Sequence, residues 1–389
     1  MKPHSIPAPP VLAATLALAI AAALPPPADA QSRPVELSID VATHAAPGMP
    51  GGGLFGRLAG TTAAGKPSYG MARHPGLPGR YLDIALYNPA SPGTPAQQAV
   101  PKGLRLGSRL DLLAPERAGA HVSGSADGAV NPAFADGGTF RVRYYWGCGE
   151  HARKGQPVEY SVTVRNGKPV QSGRAMQPRF TPEHIDIDRG YVLWPNQASR
   201  ERVGARASLA GSHQVSGDRL PAGMQFELAA AQDFMPELET EPRDNDSGGI
   251  TLHWEGVDGA QAYFAHATVA DGDTVVMWSS SEDGYAGHEM LDYLPSSKVA
   301  QWTGKRTLMG AGARECAIPA EVLAGEGMPM VQLAAHGSEH TLSGDGWRAR
   351  VRTKSTAMLM PGAGKAARDA LKPSAKDAAK GMLRGLFGR

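Results

Sequence analysis

Five groups of residues have types and spacings that suit chemistry. His336, Glu339 and His340 follow the H-x-x-E-H order of a zinc site. There, two imidazoles share a helix face and the carboxylate stands beside the metal. That arrangement needs a helix. Here Gly337 and Ser338 fill the centre, an alternating segment precedes and Thr-Leu-Ser-Gly-Asp-Gly follows, so the pattern predicts a hairpin loop without metal. Asp244, Asp246, Gly249 and Glu255 have the spacing of a calcium loop. Gly248 replaces the third acidic position, and Pro242 precedes where a helix belongs, so the segment reads as a solvated turn. His184, Asp186 and Asp188 alternate, which puts all three on one strand face, either as metal ligands or as a wet surface. Cys148 and His151 have the types of a thiol nucleophile and its base, but Gly-Cys-Gly-Glu-His reads as a turn around a structural cysteine. Tyr144, Tyr145 and Trp146 offer a stacking platform for a sugar or peptide, with Tyr145 turned to the opposite face.

The C-terminal 28 residues are the most distinctive. Gly362 to Arg389 carries seven basic and two acidic residues, a net charge of +5. Lys372, Lys376, Lys380 and Arg384 recur every four residues, so a helix there carries one basic stripe. Met382, Leu383, Leu386 and Phe387 fall on the other side. Pro373 can open such a helix but not sit inside a longer one. A basic amphipathic helix suits an anionic membrane surface or an acidic protein segment. Leu386-Phe387-Gly388-Arg389 repeats Leu54-Phe55-Gly56-Arg57.

The elements that must position these groups are short. Gly (48) and Pro (32) are abundant among 389 residues and aromatics are 6%, a balance of turns and strands rather than long helices. The N-terminus reads as an export signal. An apolar run from Val11 to Leu24 is broken by Pro25, Pro26 and Pro27, and Ala28-Asp29-Ala30 is a cleavage pattern before Gln31. The run is short for a membrane helix. Signals of this kind suit bacterial export, so the expected location is periplasmic or extracellular. In such a compartment Cys148 and Cys316 can form a disulfide across 168 residues or remain two separate buried thiols.

Period-2 alternation marks strands at Val35 to Thr43, Arg80 to Asn88, Thr139 to Gly147, Val158 to Arg165, Glu183 to Asp188, Gly190 to Trp194 and Met224 to Leu228. Residues 44–80 read as a Gly/Pro-rich arm. Residues 227–246, acidic and punctuated by Pro236 and Pro242, read as a linker between two domains. Beyond it, Trp254 lies on an early strand, Gly259-Ala260-Gln261-Ala262-Tyr263 turns into another, and Val331-Gln332-Leu333-Ala334-Ala335 forms a late one. This order, over Gly248 to Pro361, resembles fibronectin type III-like and immunoglobulin-like β-sandwiches, and the resemblance implies a fold only. The whole chain looks like a secreted protein of Gram-negative bacteria.

The expected fold is therefore mainly β: two antiparallel β-sandwich-like domains, 31–240 and 247–361, followed by a short amphipathic helix within 362–389. No G-x-S-x-G elbow, phosphate loop or dinucleotide fingerprint occurs, and no cofactor is expected. Residues 31–361 carry a net charge of −3, which disfavours nucleic acid. Two functions fit. One is a non-catalytic binding or structural protein of the envelope, whose basic tail touches membrane or an acidic partner. The other is a secreted hydrolase or carbohydrate-active protein with the C-terminal sandwich as accessory, which requires a pair of carboxylates across a cleft.

Overall fold

The structure, a computed structural model, describes residues 33–47, 66–73, 77–116, 136–183, 185–186 and 189–362. The export signal, most of the Gly/Pro-rich arm and the basic tail, with Lys372, Lys376, Lys380, Met382, Leu383, Arg384, Leu386 and Phe387, lie outside the described residues.

The fold is mainly β. The strands are β1 (Val35–Ala45), β2 (Gly79–Tyr87), β3 (Ala96–Ala99), β4 (Arg109–Leu112), β5 (Thr139–Trp146), β6 (Val158–Arg165), β7 (Lys168–Gly173), β8 (Tyr191–Trp194) and β9 (Gly211–Gly217). They continue with β10 (Gln225–Leu228), β11 (Thr240–Asp244), β12 (Ile250–Trp254), β13 (Ala262–Asp271), β14 (Thr274–Ser279), β15 (Met309–Gly310), β16 (Glu315–Ile318), β17 (Pro329–Gly344) and β18 (Trp347–Leu359). Among the described residues one α-helix occurs, α1 (Ser296–Gly304).

One large sheet runs β7-β6-β5-β14-β13-β17-β18-β1-β2-β8, with β15 attached to β13. It is mixed: β1 lies parallel to β18 and β14 parallel to β5. Two smaller sheets, β10-β9-β3-β4 and β11-β12-β16, lie over the same face of it. Alternation explains the layering. Leu37, Ile39 and Val41 of β1, with Ala349 and Val351 of β18, pack under the four-stranded sheet against Leu110, Leu209, Val215 and Phe226. Further along, Tyr263, Ala265 and Trp278, with Leu333 and Leu359, pack under the three-stranded sheet against Leu252, Trp254 and Ile318. On the opposite face, Phe264 and Ala334 lie under Met290, Leu294 and α1, which turns Val299 and Trp302 inward three residues apart.

These arrangements differ from the expectation in five places. The large sheet is not wholly antiparallel, and strands from either side of 240–248 interleave within it. The acidic stretch is not a bare connection. Glu227, Glu237, Glu239 and Glu241 face solvent, while Leu228, Phe234, Met235 and Leu238 enter the cores and β11 pairs with β12. In the arm, the described residues 66–73 pack down, with Ala72 and Arg73 buried. Finally, His336 to His340 lie within β17, which shifts register between His336 and Glu339 and runs on to Gly344 before turning, so this is strand rather than hairpin loop. The described residues of 183–188 form no strand.

Cys148, just after β5, and Cys316, in β16, form a disulfide with Cα atoms 5.1 Å apart. It ties the large sheet to the three-stranded one. Closing a loop of 168 residues restricts the unfolded chain by about 5 kcal/mol in the chain-entropy account.

A protease site placed in the turn Asn245 to Gly248 tests the interleaving. After cleavage the halves should migrate together on a non-reducing denaturing gel. They should still co-elute in native gel filtration after reduction, because β1–β18 and β5–β14 pair across the cut. Separation of the reduced halves without denaturant would contradict this topology.

Candidate functional site

The face of the large sheet opposite the two smaller sheets carries a row of charges. Strand β18 sends Arg348, Arg350, Arg352 and Lys354 to this face, at every second residue. Its parallel neighbour β1 sends Glu36, Ser38 and Asp40, in register with Arg348, Arg350 and Arg352. The row passes from solvent at Glu36 and Arg348 to full burial at Asp40 and Lys354.

The buried end is a closed network. Arg352 grips Asp40 through two hydrogen bonds, both 2.7 Å, a bidentate geometry that holds direction as well as charge. Arg73 reaches Asp40 at 3.5 Å and Asp292 at 3.2 Å. Lys354 Nζ donates to the carbonyls of Arg73 and Leu291, at 3.1 and 3.0 Å. The Tyr293 ring lies 4.9 Å from the Arg352 guanidinium and 4.6 Å from the Lys354 ammonium. Together these contacts clamp residues 66–73 and 288–294 onto the sheet.

Burial alone would raise the Asp40 carboxyl, but Arg352 and Arg73 hold it below the usual carboxylate range. Asp83, opposite Asp40 on β2, is pushed up to about 7 by burial and by Asp40, against the Ala72 N–H that it accepts at 2.9 Å. Burial pushes Lys354 down to about 8. His336, paired with Lys354 across β17, is pushed down to about 3 by burial and by that ammonium.

The exposed end opens into a cleft of about 560 Å3. Its charges are Glu36, Glu183, Glu339, Arg348 and Arg350, and Ser38, Thr341 and Tyr191 add hydroxyls. Arg348 pairs with Glu36 at 3.2 Å, and Arg350 pairs with Glu183. The Glu339 carboxylate has no ion pair among the described residues. It stands where β17 shifts register, opposite Arg352. The cleft thus presents both signs of charge on a rigid floor, with one carboxylate unengaged.

The residues singled out in the sequence take other positions. Of the H-x-x-E-H residues, His336 is buried, Glu339 enters the cleft wall and His340 is half-buried. Cys148 is spent in its disulfide, and His151 pairs with Glu321 at 3.3 Å. In the calcium-like turn, Asn245 Oδ1 accepts from Ser247 Oγ and the Gly249 N–H, at 2.7 and 2.8 Å, so this oxygen is taken up within the turn. Asp186 pairs with Arg189, while His184 and Asp188 lie outside the described residues. Among the described residues no group of three His, Cys, Asp or Glu is placed to hold a metal ion. Tyr144 packs edge-on against Tyr285 and Tyr145 enters the core, because the sheet is covered on both faces there. Sequence reasoning missed Asp40, Arg73, Asp83, Asp292, Arg352 and Lys354. The available signal was Glu36, Ser38 and Asp40 at alternate positions of β1, and bases at every second position of β18. No known family model matches the chain, and comparison with curated proteins finds no relative of it.

Removing Asp40 should show what the network holds. Asp40→Asn leaves the buried Arg352 guanidinium without its counter-charge, while Arg73 keeps Asp292, and should cost about 3–5 kcal/mol, read from urea unfolding. A loss within about 1 kcal/mol would show that the network relaxes or admits water. Asp83 gives a pH signature. A carboxyl with a raised folded pKa stabilises the fold in its protonated form. That contribution is complete below the usual 3.8 and is lost as pH climbs through about 7. Wild type should therefore lose stability relative to Asp83→Asn between about pH 4 and 7. Parallel pH profiles for the two proteins would contradict this assignment.

Proposed function

We propose that this is an exported, non-catalytic binding protein of the bacterial envelope, whose charged cleft takes a polar ligand and whose basic segment 362–389 contacts an acidic surface. The cleft lined by Glu36, Glu183, Glu339, Arg348 and Arg350 carries the reading. A wall with paired charges of both signs, an unengaged carboxylate and three hydroxyls suits a ligand with hydroxyls, carboxylates and amines together. An apolar ligand would strip water from these charges without replacing the lost hydrogen bonds. The export signal in the sequence and the disulfide support an oxidising compartment. The strand order β11-β12-β16 facing β14-β13-β17-β18 supports the fibronectin type III-like reading of the C-terminal part. In the same way, β10-β9-β3-β4 facing β18-β1-β2-β8 supports a second sandwich that shares one wall with the first.

Soluble peptidoglycan fragments, which carry hydroxyls and both signs of charge, are a suitable probe. Calorimetric titration should show binding that Arg350→Ala weakens tenfold or more, in keeping with charge-assisted hydrogen bonds worth about 1.5–3 kcal/mol. Equal affinity in the two proteins would remove the cleft from the reading. Hydrolysis of the probe, lost in Glu339→Gln, would replace binding by catalysis.

A further inference from the structure

A second cleft lies elsewhere on the fold, over the three-stranded sheet. It has a volume of about 630 Å3, and Glu237, Glu239, Glu241 and Glu255 stand against Arg243 and Arg314 in its wall. Arg243 is occupied by Glu241 at 2.8 Å. Arg314 donates to the carbonyls of Ala311 and Ala313. Glu237, Glu239 and Glu255 are exposed and have no ion pair among the described residues. With four carboxylates against two guanidiniums, the cleft wall is net negative. Ala45, Leu238 and Trp254 lie beneath it, buried in the core, so the accessible wall is polar. The buried Trp254 indole N–H finds no acceptor among the described residues.

Chain geometry brings a complementary segment to this place. Strand β18 ends at Leu359, which packs in the same core as Ala45, Leu238 and Trp254. Ala357 lies directly opposite Ala45 in the β1–β18 ladder, and Ala45 lies beneath the cleft wall. The described chain ends three residues later, at Gly362. The next 27 residues contain all seven bases of the C-terminal segment. Ten residues separate Gly362 from Lys372, a reach of up to about 33 Å when extended. The segment that follows beside this acidic cleft is thus strongly basic in sequence.

We infer that the acidic cleft over β11 and β12 is the seat of this chain's own C-terminal segment, the bases Lys372, Lys376, Lys380 and Arg384 supplying the charge that Glu237, Glu239 and Glu255 lack. The inference rests on the reading that the tail contacts an acidic surface, and it names that surface. Tethering favours this occupant: a segment attached beside its seat is present at an effective concentration in the millimolar range.

Carbodiimide cross-linking, which joins a carboxylate to a lysine amine with loss of water, tests this on the full chain. Mapped by mass spectrometry at low salt, Lys372, Lys376 and Lys380 should link to Glu237, Glu239 or Glu255. The links should fall several-fold at 1 M NaCl, where the Debye length is about 3 Å. Reversing Glu237, Glu239 and Glu255 to Lys should abolish them. Reversing Lys372, Lys376 and Lys380 to Glu in that background should restore links of the opposite sense. All six positions are on the surface or in the tail, so the fold should survive, which circular dichroism checks. Links scattered over other surface carboxylates, or links unchanged by the reversal, would overturn the inference. Links only between molecules, detected by mixing isotope-labelled and unlabelled protein, would assign the seat to a second copy and overturn the intrachain form. Sedimentation with phosphatidylglycerol vesicles separates this failure from that of the wider reading. Tail-dependent sedimentation without cleft links overturns the seat and keeps the acidic contact, whereas neither signal overturns both.

Discussion

The bidentate pair between Asp40 and Arg352 is the constraint around which the molecule closes. Both groups sit on central strands, in a place where the sheet is covered on both faces and water is excluded. Taking such charges out of water costs several kcal/mol for each ion, and only close, fully hydrogen-bonded geometry offsets it. The pair meets that condition by recruiting Arg73, Asp292, Lys354 and the Tyr293 ring. Lys354 lies on β18 beside Arg352, but Arg73, Asp292 and Tyr293 belong to segments with little regular structure of their own. The loops over this face are therefore ordered from beneath, by charges on the sheet, as much as by the apolar contacts around α1.

On the other face the organising element is the stretch from Ala230 to Thr240. Phe234 enters the core beneath the four-stranded sheet, and its neighbour Met235 enters the core beneath the three-stranded one. Between the two cores Thr43 donates to the Met235 carbonyl at 2.7 Å. Two consecutive side chains thus pin two sheets to one wall. This seam explains why an acidic stretch with two prolines is neither a free linker nor a buried strand. Its acids point outward at alternate positions, and its few apolar side chains reach inward.

Much of the strand content was legible. Val35 to Thr43, Arg80 to Asn88, Thr139 to Gly147, Val158 to Arg165 and the long segments around Tyr263, Leu333 and Val351 alternate plainly, and each is a strand. The pairing was not legible, because alternation says which side a residue faces and nothing about its neighbour. The parallel match of β1 to β18 joins segments at opposite ends of the fold, and no local signal encodes it. Short strands with few apolar residues were missed for a related reason. In β7, Lys168 to Gly173, every residue is exposed, and the strand exists only as the hairpin partner of β6. The candidate site was hidden by a reasonable default. Charges on alternate strand positions usually mean a wet face, yet on β18 the same pattern runs from a wet cleft into a dry interior.

The distance along the chain between Asp40 and Arg352 sets the order in which the protein can become itself. They are 312 residues apart, and a chain made from its N-terminus exposes β1 long before β18 exists. β2 can zip to one edge of β1 at once, but the other edge stays open and its central carboxylate has no guanidinium to meet. The wall on which both small sheets rest is incomplete until the last strand arrives. Folding dominated by such distant pairings is slow and leaves strand edges open to wrong partners. Until β18 is made, that open edge of β1 is the place where a wrong strand can pair.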